Sequence, residues 1–200
     1  MATFSAKINA KSFGRKFNKM LDSPKFKKDA YDIMDETYQH AKQELFKEFN
    51  DSKITQEIER GPNAENESGL LDGYGNLFSY IGFPVDEQPI ENLRDYLDAY
   101  LDNFQQTVRK ENYWYFRIPC PSKKEIEAQT PMPWEEGNSW VSGIEEEGIT
   151  NLSHYLYGES NRSRSTMGLQ ITPEYRPGAA MHTSPYLLKM LEDFRERFEV

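Results

Sequence analysis

The sequence predicts an α+β domain in which a small, mostly antiparallel sheet is packed by two long helices and a C-terminal helix. In three segments, apolar residues recur every three or four positions, as they do on one face of a helix. In shorter segments they alternate with polar residues, as in half-buried strands. The chain has 200 residues, which fits one compact domain spanning residues 1–200.

The composition favours a protein that contacts other proteins. Hydrophobic residues make up 37% of the chain and aromatic residues 14%, and the mean hydropathy is −0.83. Aromatic side chains are enriched at protein interfaces. The single cysteine, Cys120, excludes an internal disulfide and a cysteine-based zinc site. No secretory signal pattern or membrane-length apolar run is visible, so we expect synthesis in a cytoplasm and no membrane partner.

The charge is distributed unevenly. Residues 1–28 contain eight Lys and Arg against one acid, a local net charge of +7, which leaves −16 on the remainder of a chain whose net charge is −9. We interpret residues 1–28 as a basic docking arm, with Lys25, Lys27 and Lys28 as candidate contact residues. Binding of nucleic acid by this arm is the alternative.

The first elements are a strand, a short helix and the longest helix. Residues 2–9 alternate as a strand, and "SFGRKFNKML" has the spacing of a short amphipathic helix. Ser23-Pro24 is a helix N-cap followed by proline at the first helical position. The helix that follows ends near Asn50. Its predicted apolar stripe consists of Phe26, Ala30, Ile33, Met34, Tyr38, Ala41, Leu45 and Phe49.

Residues 51–69, "DSKITQEIERGPNAENESG", are polar with no core pattern beyond Ile54 and Ile58. Within them, Gly61, Pro62 and the Asn/Glu/Ser run predict an exposed loop. The glycine-rich "SGLLDGYGNLFSYIGF" follows. It lacks the third glycine of a dinucleotide-binding loop, because Phe78 stands there, and the chain has no Walker sequence. We therefore predict a tight turn with positive φ at Gly73 and Gly75, and then a short apolar strand or helical turn ending at Gly82.

The centre of the chain predicts a second helix, a strand and a short helix. The helix begins at Pro89, and its predicted apolar face consists of Ile90, Leu93, Leu97, Leu101, Phe104 and Val108. "NYWYFRIP" is the clearest strand, with Trp114, Phe116 and Ile118 on one side. "SKKE", Ser122 to Glu125, is a capping box at the start of the short helix.

The last third of the chain combines an acidic stretch, a strand and a final helix. Trp134 and Trp140 lie among acids and glycines, and "TMGLQIT" alternates as a strand. Ser184-Pro185 is predicted to open the final helix. The apolar face of that helix consists of Leu187, Leu188, Leu191, Phe194 and Phe198.

The residue types needed for catalysis do not form a recognisable constellation. The three histidines lack metal-ligand spacing, and Cys120 lies between two prolines with no helix N-terminus to lower its pKa. We expect no catalytic residue, no metal and no cofactor. The alternative is a glycan or peptidoglycan hydrolase that uses the acids near Trp134 and Trp140. Those acids are Glu135, Glu136, Glu145, Glu146 and Glu147.

Three segments together carry a family resemblance. "TQEIERGPNAENESGLLDGYGNLFSYIGF", followed by "DEQPIENL", resembles the signature of tailed-bacteriophage virion proteins at the head–tail junction. "TPMPWEEGNSWVSGIEEEGITNLSHYLYGESNRSRSTMGLQI" and the C-terminal "TSPYLLKMLEDFRERF" are similar to later segments of the same family. The likeness covers most of the chain from Thr55 onward.

The resemblance implies a structural protein of the neck or tail end, of tail-completion, neck or tail-terminator type. It implies a homo-oligomeric, six-fold ring around the DNA channel, made in the host cytoplasm and joined to tail tube, neck or connector proteins. DNA would pass through without sequence-specific contact. In such a ring the basic arm is predicted to dock on the acidic stretch 135–147 of the next copy. The candidate interface residues are Lys25, Lys27, Lys28, Tyr74, Leu77, Phe78, Phe83, Trp134, Trp140, Glu145, Glu146 and Glu147.

Overall fold

The computed structural model of the chain describes residues 17–71, 75–110, 113–133, 135–147, 149 and 181–198. The strands predicted at residues 2–9 and 166–172 lie outside these ranges. So do Gly73, most of the basic arm, and the segment between the acidic stretch and the final helix. Residues 17–21, within the predicted short helix, are helical.

The described residues form a helix-rich α+β structure, which confirms the broad fold class. The helices are α1 (Pro24–Asp51), α2 (Lys53–Glu59), α3 (Leu77–Ile81), α4 (Pro89–Leu101), α5 (Lys123–Gln129), α6 (Trp140–Ser142) and α7 (Leu187–Glu196). A 3₁₀ turn covers Gly61–Asn63 and a π-helical turn covers Gly143–Glu147. None of the described helices is long and apolar enough to cross a membrane.

The strands form two small antiparallel pairs. Strand β1 (Gln105–Lys110) pairs with β2 (Tyr113–Arg117), with an irregularity between Gln106 and Val108. Strand β3 (Pro131–Met132) pairs with β4 (Glu135–Ser139). Strand β2 is the strand predicted from "NYWYFRIP".

Helix α1 begins as predicted, but its apolar stripe is buried only in its second half. The Ser23 hydroxyl oxygen accepts a hydrogen bond from the Phe26 N–H at 3.2 Å, and Pro24 is the first helical residue. The buried residues are Tyr38, Ala41, Leu45 and Phe49. Ile33 is 64% exposed, so its predicted burial is wrong.

The reason lies in the length of helix α4, which packs antiparallel to α1. The Tyr38 hydroxyl donates to the carbonyl oxygen of Leu101, the last residue of α4, at 2.5 Å. At the other end, Arg94 Nε donates to Asn50 Oδ1 at 3.1 Å. The first half of α1 therefore extends past the end of α4, where this neighbour no longer covers it.

Helix α4 is shorter than its predicted apolar face. The Asn103 side-chain amide donates to the carbonyl oxygen of Ala99 at 3.0 Å, in the place that the next helical N–H would occupy. The chain leaves the helix there, and Val108 belongs to strand β1. Including Val108 in the helix was wrong. Phe104 instead stacks on Phe116 of β2, with ring centroids 6.1 Å apart.

The polar segment 51–69 contributes more to the core than its sequence predicts. It contains helix α2 and the 3₁₀ turn, and Ile54, Thr55, Glu57 and Ile58 are all buried. The hydroxyl groups of Thr55 and Tyr186 are 2.8 Å apart and hydrogen-bonded, so this polar residue has a partner inside the core. Polar composition was a poor guide because the buried polar groups are satisfied internally.

The capping box at helix α5 is confirmed, whereas the start of α7 is displaced. The Glu125 carboxylate accepts a hydrogen bond from the Ser122 N–H at 2.8 Å, and the Glu125 N–H donates to the Ser122 hydroxyl at 3.4 Å. Helix α7 begins at Leu187, two residues after Pro185, and Tyr186 stands at its N-cap position. Its buried residues are Leu187, Met190, Leu191 and Phe194.

A path of aromatic rings connects the helices through the core. Phe49 of α1 lies 6.0 Å from Tyr186, and Tyr186 lies 6.3 Å from Trp140, measured between ring centroids. Trp140 meets Phe83 edge-on at 5.8 Å, and Phe83 lies 5.3 Å from Phe78. Such ring pairs contribute beyond their buried area, so this path joins the glycine-rich stretch, the acidic stretch and the final helix into one core.

Candidate functional site

The stretch 55–83, which carries the clearest family resemblance, is organised around the buried carboxylate of Glu57. Its side chain is 0% exposed. One oxygen accepts the Ser68 N–H at 2.8 Å and the other accepts the Leu77 N–H at 2.7 Å. Leu77 is the first residue of helix α3. Glu57 thus fixes both the loop before the glycine-rich turn and the helix after it.

Asn76 ties the same turn to the 3₁₀ segment. Its side-chain amide donates to the carbonyl oxygens of Pro62 and Ala64, both at 2.9 Å, and its side-chain oxygen accepts the Ser79 N–H at 2.9 Å. The last of these bonds is the N-cap of α3. The carbonyl oxygens of the "GPNA" segment therefore accept the hydrogen bonds of Asn76. This contact links "GPNA" to the "GYGNLF" segment that contains Asn76.

Two glycines take backbone conformations that other residues rarely adopt. Gly75 has φ 117°, and Gly82, at the C-cap of α3, has φ 88°. The positive φ predicted for Gly75 is confirmed, and so is the helical alternative ending at Gly82. Gly73 lies outside the described residues. The Leu77 N–H that opens helix α3 is accepted by the Glu57 carboxylate, so it is not available to a phosphate.

The aromatic and apolar candidates of this stretch lie in the core of the chain. Leu77, Phe78 and Phe83 are buried, and Trp140 is only 2% exposed. We expected these residues where the fold or a ring needs them, and the structure places their side chains in the fold. Tyr74 and Trp134 lie outside the described residues.

Glu145 of the acidic stretch holds the start of helix α7. Its carboxylate accepts three backbone N–H groups, from Tyr186 at 2.6 Å, Leu188 at 3.1 Å and Lys189 at 3.2 Å. Such N–H groups at a helix start have no partner within the helix, and negative charge is favourable there. Burial raises the pKa of Glu145, while the three hydrogen bonds act in the opposite direction.

The neighbouring acids are partly engaged as well. Lys123 forms ion pairs with Glu146 and, at 3.8 Å, with Glu127. The side chains of Glu135, Glu136 and Glu147 lie outside the described part. A surface cavity of about 440 Å³ beside Glu145 and Glu146 is also lined by Lys123, Lys189 and Arg195. Its carboxylates are thus bound to backbone or lysine and do not form a free acid–base pair.

The basic candidates are at the start of helix α1. Lys25, Lys27 and Lys28 are exposed in its first turns. Residues 1–16 of the predicted arm lie outside the description, so docking of the arm on residues 135–147 stays a prediction.

The remaining candidates for chemistry are ordinary structural residues. Burial raises the pKa of the Cys120 thiol, whose sulfur lies 3.8 Å from the Leu191 carbonyl oxygen. His40 is exposed on α1. Among the described residues, no group of three or more His, Cys, Asp or Glu side chains could hold a metal ion.

Sequence reasoning missed Glu57, Thr55 and Asn76, although two of them had local indications. Glu57 lies three residues after Ile54 and one before Ile58, which places it on the apolar face of a short helix. Asn76 precedes an apolar run by one residue, as an N-cap does. Thr55 had no such indication, because its partner Tyr186 is 131 residues away.

Comparisons of the chain with protein-family models, with curated proteins and with solved structures found no match. The resemblance of the quoted segments to phage head–tail junction proteins therefore stays a prediction.

Proposed function

We propose that the chain is a non-enzymatic structural protein of a phage virion, located at the neck or tail end. Six copies form a ring around the DNA channel that completes or terminates the tail, so that the tail can join a DNA-filled head. The axial neighbours are tail tube, neck or connector proteins. The resemblance of residues 55–83, 130–171 and 183–198 to junction proteins supports this proposal.

The observation that carries the proposal is how the resembling segments use their polar side chains. Glu57 and Asn76 accept hydrogen bonds from backbone N–H groups of the glycine-rich stretch. Glu145 accepts them from backbone N–H groups at the start of helix α7. These side chains build a rigid subunit and present no reactive group. A subunit that transmits load between head and tail needs such internal cross-links more than it needs a cleft.

The two alternative functions, a hydrolase and a nucleic-acid-binding protein, require different features of the chain. A hydrolase needs a carboxylate free to transfer a proton, and Glu145 is already bound by three N–H groups. A nucleic-acid-binding protein needs a basic patch, and the candidate here is residues 1–28, whose charge of +7 is outweighed by −16 on the remainder of the chain. That negative charge suits a channel through which DNA slides, because it repels phosphates.

The test is in vitro completion of particles. Heads and tails are isolated from an infection that lacks this protein, the purified chain is added, and joined particles are counted by electron microscopy and by infectivity. We expect joining to be restored, and Glu145→Gln to join particles whenever it is folded. Failure of the wild-type protein to bind either heads or tails would contradict the proposal. Turnover of glycan by the wild type, lost in Glu145→Gln, would favour the hydrolase.

A further inference from the structure

Two exposed apolar side chains lie among charges of opposite sign. Met20 is 50% exposed, and Lys19, Lys25 and Lys28 near it in the sequence are exposed as well. We call these four residues the basic tip. Val85 is 79% exposed, and Asp86, Glu91 and Asp95 that follow it are exposed. We call these four residues the valine end. Exposed patches of opposite charge can pair across a contact between two proteins.

The two patches lie at opposite ends of the same helix pair. Three contacts align α1 antiparallel to α4: Tyr38 with Leu101, Lys42 with Asp98 at 2.7 Å, and Asn50 with Arg94. Fourteen residues of α1 precede Tyr38, and at 1.5 Å per residue they place Pro24, the first residue of the helix, about 21 Å past that contact. Lys25 and Lys28 lie in this extension, and Lys19 and Met20 precede it in the chain. The valine end lies toward the opposite end of the pair: Val85 and Asp86 precede α4, which begins at Pro89, and Glu91 and Asp95 lie in its first two turns.

We propose that the basic tip of one copy docks on the valine end of the next copy. The proposal rests on the proposed function in taking the partner to be a second copy of this chain. Opposite charge makes the two patches complementary, while two copies of the same patch repel each other. Patches at opposite ends of a subunit give a head-to-tail contact, which closes into a ring when the rotation between subunits permits.

This contact uses an acceptor different from the acidic stretch 135–147. Glu145 there is bound to the start of α7 and Glu146 is paired with Lys123. In contrast, Asp86, Glu91 and Asp95 are all exposed, and Glu91 and Asp95 lie one helical turn apart on α4. Among the described residues, none of these three acids forms an ion pair, and the nearby Arg94 and Arg60 are paired with Glu59 and Glu67.

A charge-swap experiment tests the contact on the full-length chain. One variant carries Lys25→Glu and Lys28→Glu, and a second carries Glu91→Lys and Asp95→Lys. The mass of each is measured by light scattering over a concentration series, alone and as an equimolar mixture. Each variant alone is expected to associate at least about 100-fold more weakly than the wild type, because like charges then meet. The mixture is expected to regain the wild-type mass, because each junction again pairs opposite charges.

The controls use exposed charges outside both patches. Lys47→Glu with Lys53→Glu, and Glu48→Lys with Asp51→Lys, change the net charge equally and are expected to keep the wild-type mass. Circular dichroism and Tm verify that every variant is folded. As a second readout, Met20→Cys and Val85→Cys in a Cys120→Ser background are expected to cross-link between chains with a short bis-maleimide.

Several outcomes would overturn the contact. The contact is overturned if either variant alone associates as strongly as the wild type, or if the mixture stays at the mass of a single chain. It is also overturned if the wild type is monomeric at every concentration. A lower Tm of monomeric Lys25→Glu, Lys28→Glu protein would show that the tip binds a segment of its own chain. Loss of wild-type association on nuclease treatment would show that it binds nucleic acid.

The failures are distinguishable. A monomeric wild type that still joins heads to tails removes the contact and the ring in solution and keeps the proposed role in joining heads to tails. If the variants associate only as a mixture but the wild type never joins heads to tails, the contact is kept and that function is removed.

Discussion

Replacing Glu57 by Gln removes the charge at the centre of the motif stretch and keeps nearly the same volume. The side chain is fully buried, and each of its two oxygens accepts one backbone N–H, from Ser68 at 2.8 Å and Leu77 at 2.7 Å. Glutamine has a single acceptor oxygen. One of the two N–H groups therefore faces an amide NH₂ group and loses its partner inside the core.

The expected loss follows from these two bonds. A hydrogen bond to a charged group contributes about 1.5–3 kcal/mol, and a buried donor left without an acceptor costs about 1–3 kcal/mol. We expect Glu57→Gln to lower the free energy of unfolding by about 2–4 kcal/mol. In a 200-residue chain this corresponds to a fall in Tm of about 4–16 °C.

The assay is urea unfolding followed by circular dichroism, with the Tm as a second measure. Glu59→Gln is the matched control, because Glu59 lies on the same helix but is exposed and, within the described part of the chain, is ion-paired with Arg94 at the surface. We expect the control to lose no more than about 1 kcal/mol. Equal losses for the two variants would refute the role assigned to Glu57 and, with it, the interpretation of the motif as an internal cross-link.

Three further predictions concern the same framework. Gly75→Val, at φ 117° with open space around the added side chain, is expected to cost about 1–3 kcal/mol from the backbone alone. Gly75→Ala should therefore cost as much in urea unfolding, and a harmless Gly75→Ala would show that φ is not the constraint. Glu145→Gln is expected to lower the Tm while leaving the secondary structure away from α7 unchanged. Hydrogen exchange should become faster at the N–H groups of Leu188 and Lys189, which donate to Glu145. Unchanged exchange at these two groups would contradict the capping role. Hydrogen bonds from Ser122 and Tyr100 lower the pKa of Glu125, so its stabilising contribution is fully present above the ordinary glutamate pKa and is lost as the pH falls through the lowered value. Thermal scans from neutral to acidic pH should show a slightly smaller fall in Tm for Glu125→Gln than for the wild type. Equal falls in Tm for the two proteins would contradict this stabilising role of Glu125.

Features encoded locally were predictable from the sequence. The starts of α1 and α5 were found because Ser23, Pro24 and the Ser122–Glu125 capping box act within four residues. Strand β2 was found because its alternation covers the whole element. The turn at Gly75 was found because few other residues adopt positive φ.

Features set by distant contacts were not predictable in this way. The start of α7 depends on Glu145, which lies more than 40 residues earlier in the chain. The burial of α2 depends on Tyr186 and on the glycine-rich turn, and the exposure of Ile33 depends on where α4 ends. In each case a residue's own type and spacing leave its environment open, because the partner comes from another part of the fold.

The claim that copies of this chain close into a ring is tested most directly by the mass of the purified, full-length protein in solution. Light scattering after size-exclusion chromatography, over a wide concentration range, separates the possibilities. The ring predicts one discrete species of about six times the 23.4 kDa chain mass, with a mass that stays constant as concentration rises. A monomer at every concentration, or a mass that grows continuously with concentration, would contradict it.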